Sequence, residues 1–252
     1  MKKIIFGLIA MSAVLSGCEK NNGPDLPLAG SYIDEYGVNH GQGIEIDGLI
    51  WAPVNCGYHK DDFKYGKLYQ WGRKFGQGYD KADVSATVIK AGPVSLSAGQ
   101  LATDNNVFFV VEEAPGNWLD DAKDNLWNAG TEEYPVKTPY DPCPKGWRVP
   151  TYAELSSLGA NLSSLTTGDA GQKGSWLSGS NKYSETVPQI FFPAAGMRRS
   201  GAGTVFFRTA GGYYWSSRTN EDNSYYFGFD NTLPGMYSNV RATGYSVRCV
   251  KE

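Results

Sequence analysis

Cysteines and histidines are the side chains most able to do chemistry in this 252-residue chain, and there are few of them. Cys18 stands near the start, while Cys56, Cys143 and Cys249 are spread through the remainder. His40 and His59 both lie in polar stretches. Two histidines, both near the start of the domain, cannot supply a three-His metal centre, and no His elsewhere is left to activate a nucleophile. Cys-x-x-Cys, the phosphate-loop pattern and a helix-opening Gly-x-Gly-x-x-Gly are all missing. Gly168 to Ser175 has phosphate-loop composition, but Lys173 comes one place early and no apolar strand precedes it, so it reads as a turn. Arg148 and Arg248 read as partners for buried carboxylates or carbonyls. The inventory predicts no catalytic residues and no metal centre.

Composition narrows the classes further. Hydrophobic residues make up 41%, enough for a sizeable core in a chain of this length. Only 19% is charged, while Gly (31), Tyr (16) and Trp (7) are abundant, which favours loop-rich β or α+β structure. A formal net charge of −3 gives no basic face for nucleic acid.

The first residues read as an address. Lys2 and Lys3 precede an apolar run from Ile4 to Leu15, too short to cross a bilayer core of about 30 Å as a helix. A basic start, a short apolar middle and small residues before a cut make an export signal over 1–17. Leu15-Ser16-Gly17-Cys18 resembles the lipobox of bacterial lipoproteins, which implies that Cys18 is the mature N-terminus and carries acyl chains. Several chains together anchor firmly, at about 0.8 kcal/mol per buried CH₂. The expected location is the cell envelope, by lipid and at the outer membrane, with the leaflet and face left open. Residues 18–42 are expected to be the lipidated start and a flexible tether, since Glu19 to Pro27 is polar and broken by Gly and Pro.

From Gly43 the pattern is that of a folded domain, expected over 43–252. Asp47-Gly48 between two apolar runs predicts a hairpin with a two-residue turn. Tyr65, Leu68 and Tyr69 fall at helical spacing before Trp71 and predict a short helix. Asn117 could cap a second, carrying Trp118, Leu119, Ala122, Leu126 and Trp127 and ending near Gly130. Thr151 and Glu154 form a capping box, which predicts a helix of about two turns with Leu155 and Leu158 inward, closed by Gly159. Strands are expected at 189–194, 213–217, 224–230 and 245–250. Helix first and strands after fits α+β, with short antiparallel sheets, two or three short helices and long irregular loops.

Five blocks in a fixed order carry a wider resemblance: Trp51 to Asn55, Tyr65 to Trp71, Cys143 to Thr151, Tyr214 to Ser217 and Gly244 to Lys251. Together they resemble the Fibrobacter succinogenes major paralogous domain found in many lipoproteins of Bacteroides-type bacteria. That resemblance implies a C-type-lectin-like fold, similar also to formylglycine-generating enzymes, whose helix opening is echoed from Arg148 to Glu154. It implies a surface or adhesion role rather than a known reaction. The copper-binding cysteine pair of those enzymes has no counterpart here, because no two domain cysteines lie close in sequence.

Three domain cysteines allow three single bridges, and spacing does not choose among them. The resemblance implies Cys143–Cys249, since C-type lectin domains tie a first-helix region to the final strand; Cys56 then reads as a small buried hydrophobe. The resemblance also points to the run from Arg218 to Ser224 as a ligand loop. There Trp215 would offer a ring, and Asn220, Glu221 and Asp222 oxygen atoms that suit calcium. The Glu-Pro-Asn and Trp-Asn-Asp signatures of sugar-binding members are missing, and the run reads equally as a solvated turn. Trp51, Trp71, Trp147 and Trp215 also read as core residues. The expectation is a non-catalytic binding domain for a glycan or surface protein, needing no cofactor unless calcium binds. An enzyme of the formylglycine-generating type with a displaced site, or a structural pilus-tip or envelope-assembly subunit, is the alternative.

Overall fold

A computed structural model describes residues 30–61, 63–78, 87–102, 105–113, 116–160, 165–168, 171–230 and 233–252. The export signal, Cys18 and Glu19 to Pro27 lie outside the described residues. Among the described residues small antiparallel sheets dominate, joined by long loops and accompanied by two short helices, Leu96–Gly99 and Tyr152–Ser156. This is compatible with α+β. Among the described residues, Val88–Ala91 and Val107–Val110 form the one parallel strand pair.

Local signals with a stereochemical cause are realised. Asp47 and Gly48 take φ of 50° and 77° and join Ile44–Ile46 to Leu49–Trp51. Thr151 accepts from the Glu154 amide while the Glu154 carboxylate accepts from the Thr151 amide, closing the box. Leu155 and Leu158 are buried. The helix is shorter than expected: it stops at Ser156, and Gly159 already begins the strand Gly159–Ala160. The turn read over Gly168 to Ser175 is only partly so: Gly168 N donates to Gln172 O, but Lys173 to Ser175 already belong to the strand Lys173–Ser178, paired with Thr166–Thr167.

Two predicted helices are absent. Tyr69–Gln70 is a strand paired with Gly244–Tyr245, so the apolar spacing from Tyr65 to Trp71 reflects inward side chains of an extended segment and its turn. The stretch from Asn117 to Gly130 is a series of bends. Asn117 Oδ1 accepts from the amide of Leu119, two residues on, and so turns the chain instead of capping a helix. The flexible-tether expectation also needs correcting for residues 30–42. Ser31–Ile33 pairs with Asn39–Gln42, and Tyr32 is 1% exposed, packed edge-on against Trp147.

Two cores flank the strand Gly212–Asn220. Successive side chains of a strand point to opposite faces. Tyr213 and Trp215 enter a cluster with Trp71, Trp118, Trp127 and Trp147, whereas Tyr214 enters another with Trp51, Leu155, Ile190 and Phe192. The four tryptophans assigned to the core from sequence are buried there. Their indoles need acceptors when buried. Trp71 Nε1 donates to Ser216 O, Trp118 Nε1 to Trp71 O and Trp215 Nε1 to Tyr69 O.

Loops this long bury carbonyl groups that no ladder satisfies. Buried arginines supply donors to them. Arg241 reaches the carbonyls of Lys123, Glu221 and Asn223, and Arg248 those of Ala52 and Phe191. Arg148 instead forms a bidentate pair with the capping-box carboxylate of Glu154. Both arginine roles match the sequence reading.

Candidate functional site

The three domain sulfurs meet at one place. Cys143 and Cys249 form the disulfide, 106 residues apart, and Cys56 remains a buried thiol. Its Sγ lies within 4.8 Å of both bonded sulfurs. Tyr69 donates its hydroxyl to Cys56 Sγ at 3.2 Å, and the Pro142 carbonyl accepts from the thiol at 3.3 Å. Burial pushes the thiol pKa up to about 11, so at neutral pH the sulfur stays protonated and a poor nucleophile. With Cys143 and Cys249 joined, this trio has one titratable sulfur and no set of thiolates for a metal.

Beside Cys56 the surface opens into a pocket of about 330 Å³. Tyr32, Tyr36, Tyr58 and Phe63 supply rings, and Glu35 and Lys67 supply charge. They come from two stretches of chain, Tyr32 to Tyr36 and Tyr58 to Lys67. Tyr32 is fixed from below by Trp147 and by the Cys249 sulfur, 3.7 Å from its hydroxyl. Tyr58 follows the turn Asn55-Cys56-Gly57, where Gly57 takes φ of 72° and leaves room for the stem of Lys67. A side chain at Gly57 would meet Lys67 Cγ at 2.7 Å. Phe63 closes a small loop through paired hydrogen bonds with His59, and Lys67 Nζ sits 5.1 Å above its ring.

One wall is ionic. His40 Nε2 and Asp34 Oδ2 are 2.8 Å apart, and the His40 ring meets Tyr58 edge-on at 5.5 Å. Burial alone would raise the Asp34 pKa, but the His40 hydrogen bond and the amides of Val38 and Tyr36 outweigh it and hold the carboxyl below its ordinary value. A broader depression of about 570 Å³ beside Leu158, Lys182 and Met236 has Lys182 as its one ionic side chain. The aromatic pocket combines apolar walls with converging polar groups, which is the usual make-up of a ligand site.

The loop expected to bind a ligand is built differently. Trp215 is fully buried and cannot meet a ligand. Asn220 pairs with Asn223 around the two-residue turn Glu221-Asp222, with Glu221 at φ of 51°. Arg241 braces that turn through the Glu221 carbonyl. Asn220, Glu221 and Asp222 therefore sit at a tight hairpin tip, while the pocket is assembled from residues 32–38, 56–67 and 142–144.

Sequence reasoning missed that pocket. Its only local hint is the aromatic density of Tyr58, Phe63 and the Tyr32–Tyr36 stretch. It also missed Asp141, fully buried behind the sulfurs, where it accepts from Lys137 Nζ and the amides of Cys143 and Val149, all at 2.8 Å. Burial raises its pKa despite the lysine.

Comparison with known proteins adds one likeness. A family described as a domain of unknown function (DUF8237) matches residues 158–250. No curated protein and no solved structure matches the chain.

Proposed function

We propose that the chain is a lipid-anchored protein of the bacterial cell envelope, akin to the Fibrobacter succinogenes major paralogous domain, whose lectin-like body binds a glycan or surface-protein segment without catalysis. The observation that carries this reading is the ring-lined pocket beside Cys56. Aromatic faces suit the apolar side of a sugar ring or a side chain, while Glu35 and Lys67 can orient it. The thiol at its base is buried and protonated, which weighs against the alternative of a formylglycine-generating type of enzyme. The lipobox-like Leu15 to Cys18 supports anchoring.

The test is a glycan array with pull-downs from bacterial and host surfaces, run with and without a calcium chelator. Wild-type protein should capture a reproducible ligand, and Tyr58→Ala and Phe63→Ala should lose it with unchanged circular dichroism. No ligand in either format would remove the binding claim. Anchoring is tested separately by acyl-chain labelling, which Cys18→Ala should abolish. Protease shaving of intact cells then places the domain inside or outside the outer membrane.

A further inference from the structure

Arg248 is 1% exposed, yet the acceptors its guanidinium finds are uncharged. Nε donates to Asn55 Oδ1 at 2.8 Å, Nη1 to Ala52 O at 2.9 Å and Nη2 to Phe191 O at 2.9 Å. The Tyr214 phenol beside it is also neutral, since burial pushes its pKa up to about 12. Among the described residues no carboxylate pairs with Arg248. The contrast with Arg148, which holds Glu154 bidentately, is direct. A buried cation balanced only by dipoles is costly, and an incoming anion would offset that cost.

Room for an anion exists. Arg248 lines a pocket of about 250 Å³ with Asn55, Tyr58, Lys64, Gln172 and Phe191 among the others. Its two charged side chains, Arg248 and Lys64, are both cations, and no acid lines it. In a protein of formal net charge −3 this is a local reversal of sign. Gln172 Nε2 donates to the Lys64 carbonyl at 2.6 Å and pins that rim. The volume falls below the roughly 300–1,000 Å³ of whole-ligand pockets, which suits one functional group. Tyr58 lines both this pocket and the aromatic one, so the two share a wall.

We propose that this pocket is an anion subsite, in which Arg248 and Lys64 take a carboxylate or sulfate group carried by a ligand whose ring packs in the aromatic pocket. The ligand class is then an acidic carbohydrate. That last step rests on the binding role proposed above; the anion subsite itself does not.

The experiment titrates the folded chain with glucuronate, inorganic sulfate or glucose at fixed ionic strength, following the Arg248 Nε–Hε resonance and the melting temperature. Glucuronate or sulfate should shift both saturably, glucose should not, and the better of the two anions identifies the group. Lys64→Ala should weaken the response about three- to tenfold, as for loss of one charge-assisted contact. Lys64 is exposed, so this variant and Lys64→Glu should fold, and Lys64→Glu should abolish saturation. No saturable shift by either anion, or an equal one in Lys64→Glu, overturns the subsite. Anion binding with an empty glycan array would keep the subsite and sink the broader reading; neutral-glycan capture without anion binding would do the reverse.

Discussion

The Tyr69 hydroxyl donates to Cys56 Sγ at 3.2 Å, and that bond keeps the third sulfur occupied beside a disulfide it almost touches. Thiol–disulfide exchange needs a thiolate and an approach to a bonded sulfur. Proximity is present, but burial holds the thiol pKa at about 11. Native protein at pH 7 should therefore react with a thiol reagent only on the timescale of unfolding. Stoichiometric labelling of Cys56 within minutes under native conditions would refute this. Cys56→Ala should cost about 1–3 kcal/mol, because it strands the buried Tyr69 hydroxyl.

Removing the disulfide tests how far the fold depends on it. Chain-entropy reasoning for a closed loop of 106 residues gives about 4–5 kcal/mol. The double variant Cys143→Ser, Cys249→Ser should lower the urea midpoint by that amount divided by the slope. A single Cys143→Ser variant should do less harm, since Cys56 lies near enough to Cys249 to trap it. Peptide mapping should find the Cys56–Cys249 pair there, and its absence would show that the backbone holds the two apart.

How much of this was legible in the sequence depends on how local its cause is. Asp47-Gly48 and the Thr151–Glu154 box act within four residues, and both formed as read. The Asn117–Gly130 segment misled because Trp118, Leu126 and Trp127 are buried at roughly helical spacing while folded as bends. Its Asp120, Asp121 and Asp124 favour turns, and the indoles find loop carbonyls instead of helix neighbours. The pocket was unreadable for another reason. Cys56, Tyr32 and Pro142 become neighbours only after closure of loops that no periodicity announces. The resemblance gave the right disulfide, but the ring it offered a ligand, Trp215, is aimed inward by the strand alternation.

Trp215 separates a core role from a ligand role. Its indole is fully buried, packs at a tilt against Tyr245 with ring centroids 4.5 Å apart and donates to Tyr69 O at 2.8 Å. Trp215→Ala should cost about 3–5 kcal/mol in urea unfolding, as for other buried aromatic truncations. Below the transition its ligand affinity should match wild type. Loss of binding with unchanged stability would return Trp215 to the site.

Acid should loosen the pocket from the Asp34 side. The folded pKa of Asp34 lies below its ordinary value, so the carboxylate favours the folded state at every pH above about 4. That contribution is lost as pH falls through the lowered value, when protonation breaks the contacts with His40, Tyr36 and Val38. Amide exchange of Tyr36 and Val38 should accelerate below about pH 4 before the cores at Trp71 and Trp51 respond. Asp34→Asn should remove that early phase and weaken binding at neutral pH, because the wall formed by His40 and Tyr58 loses its anchor. If the hairpin and the cores instead open together in wild type, the Asp34 wall is only a part of the global transition, and the pocket has no acid-labile side of its own.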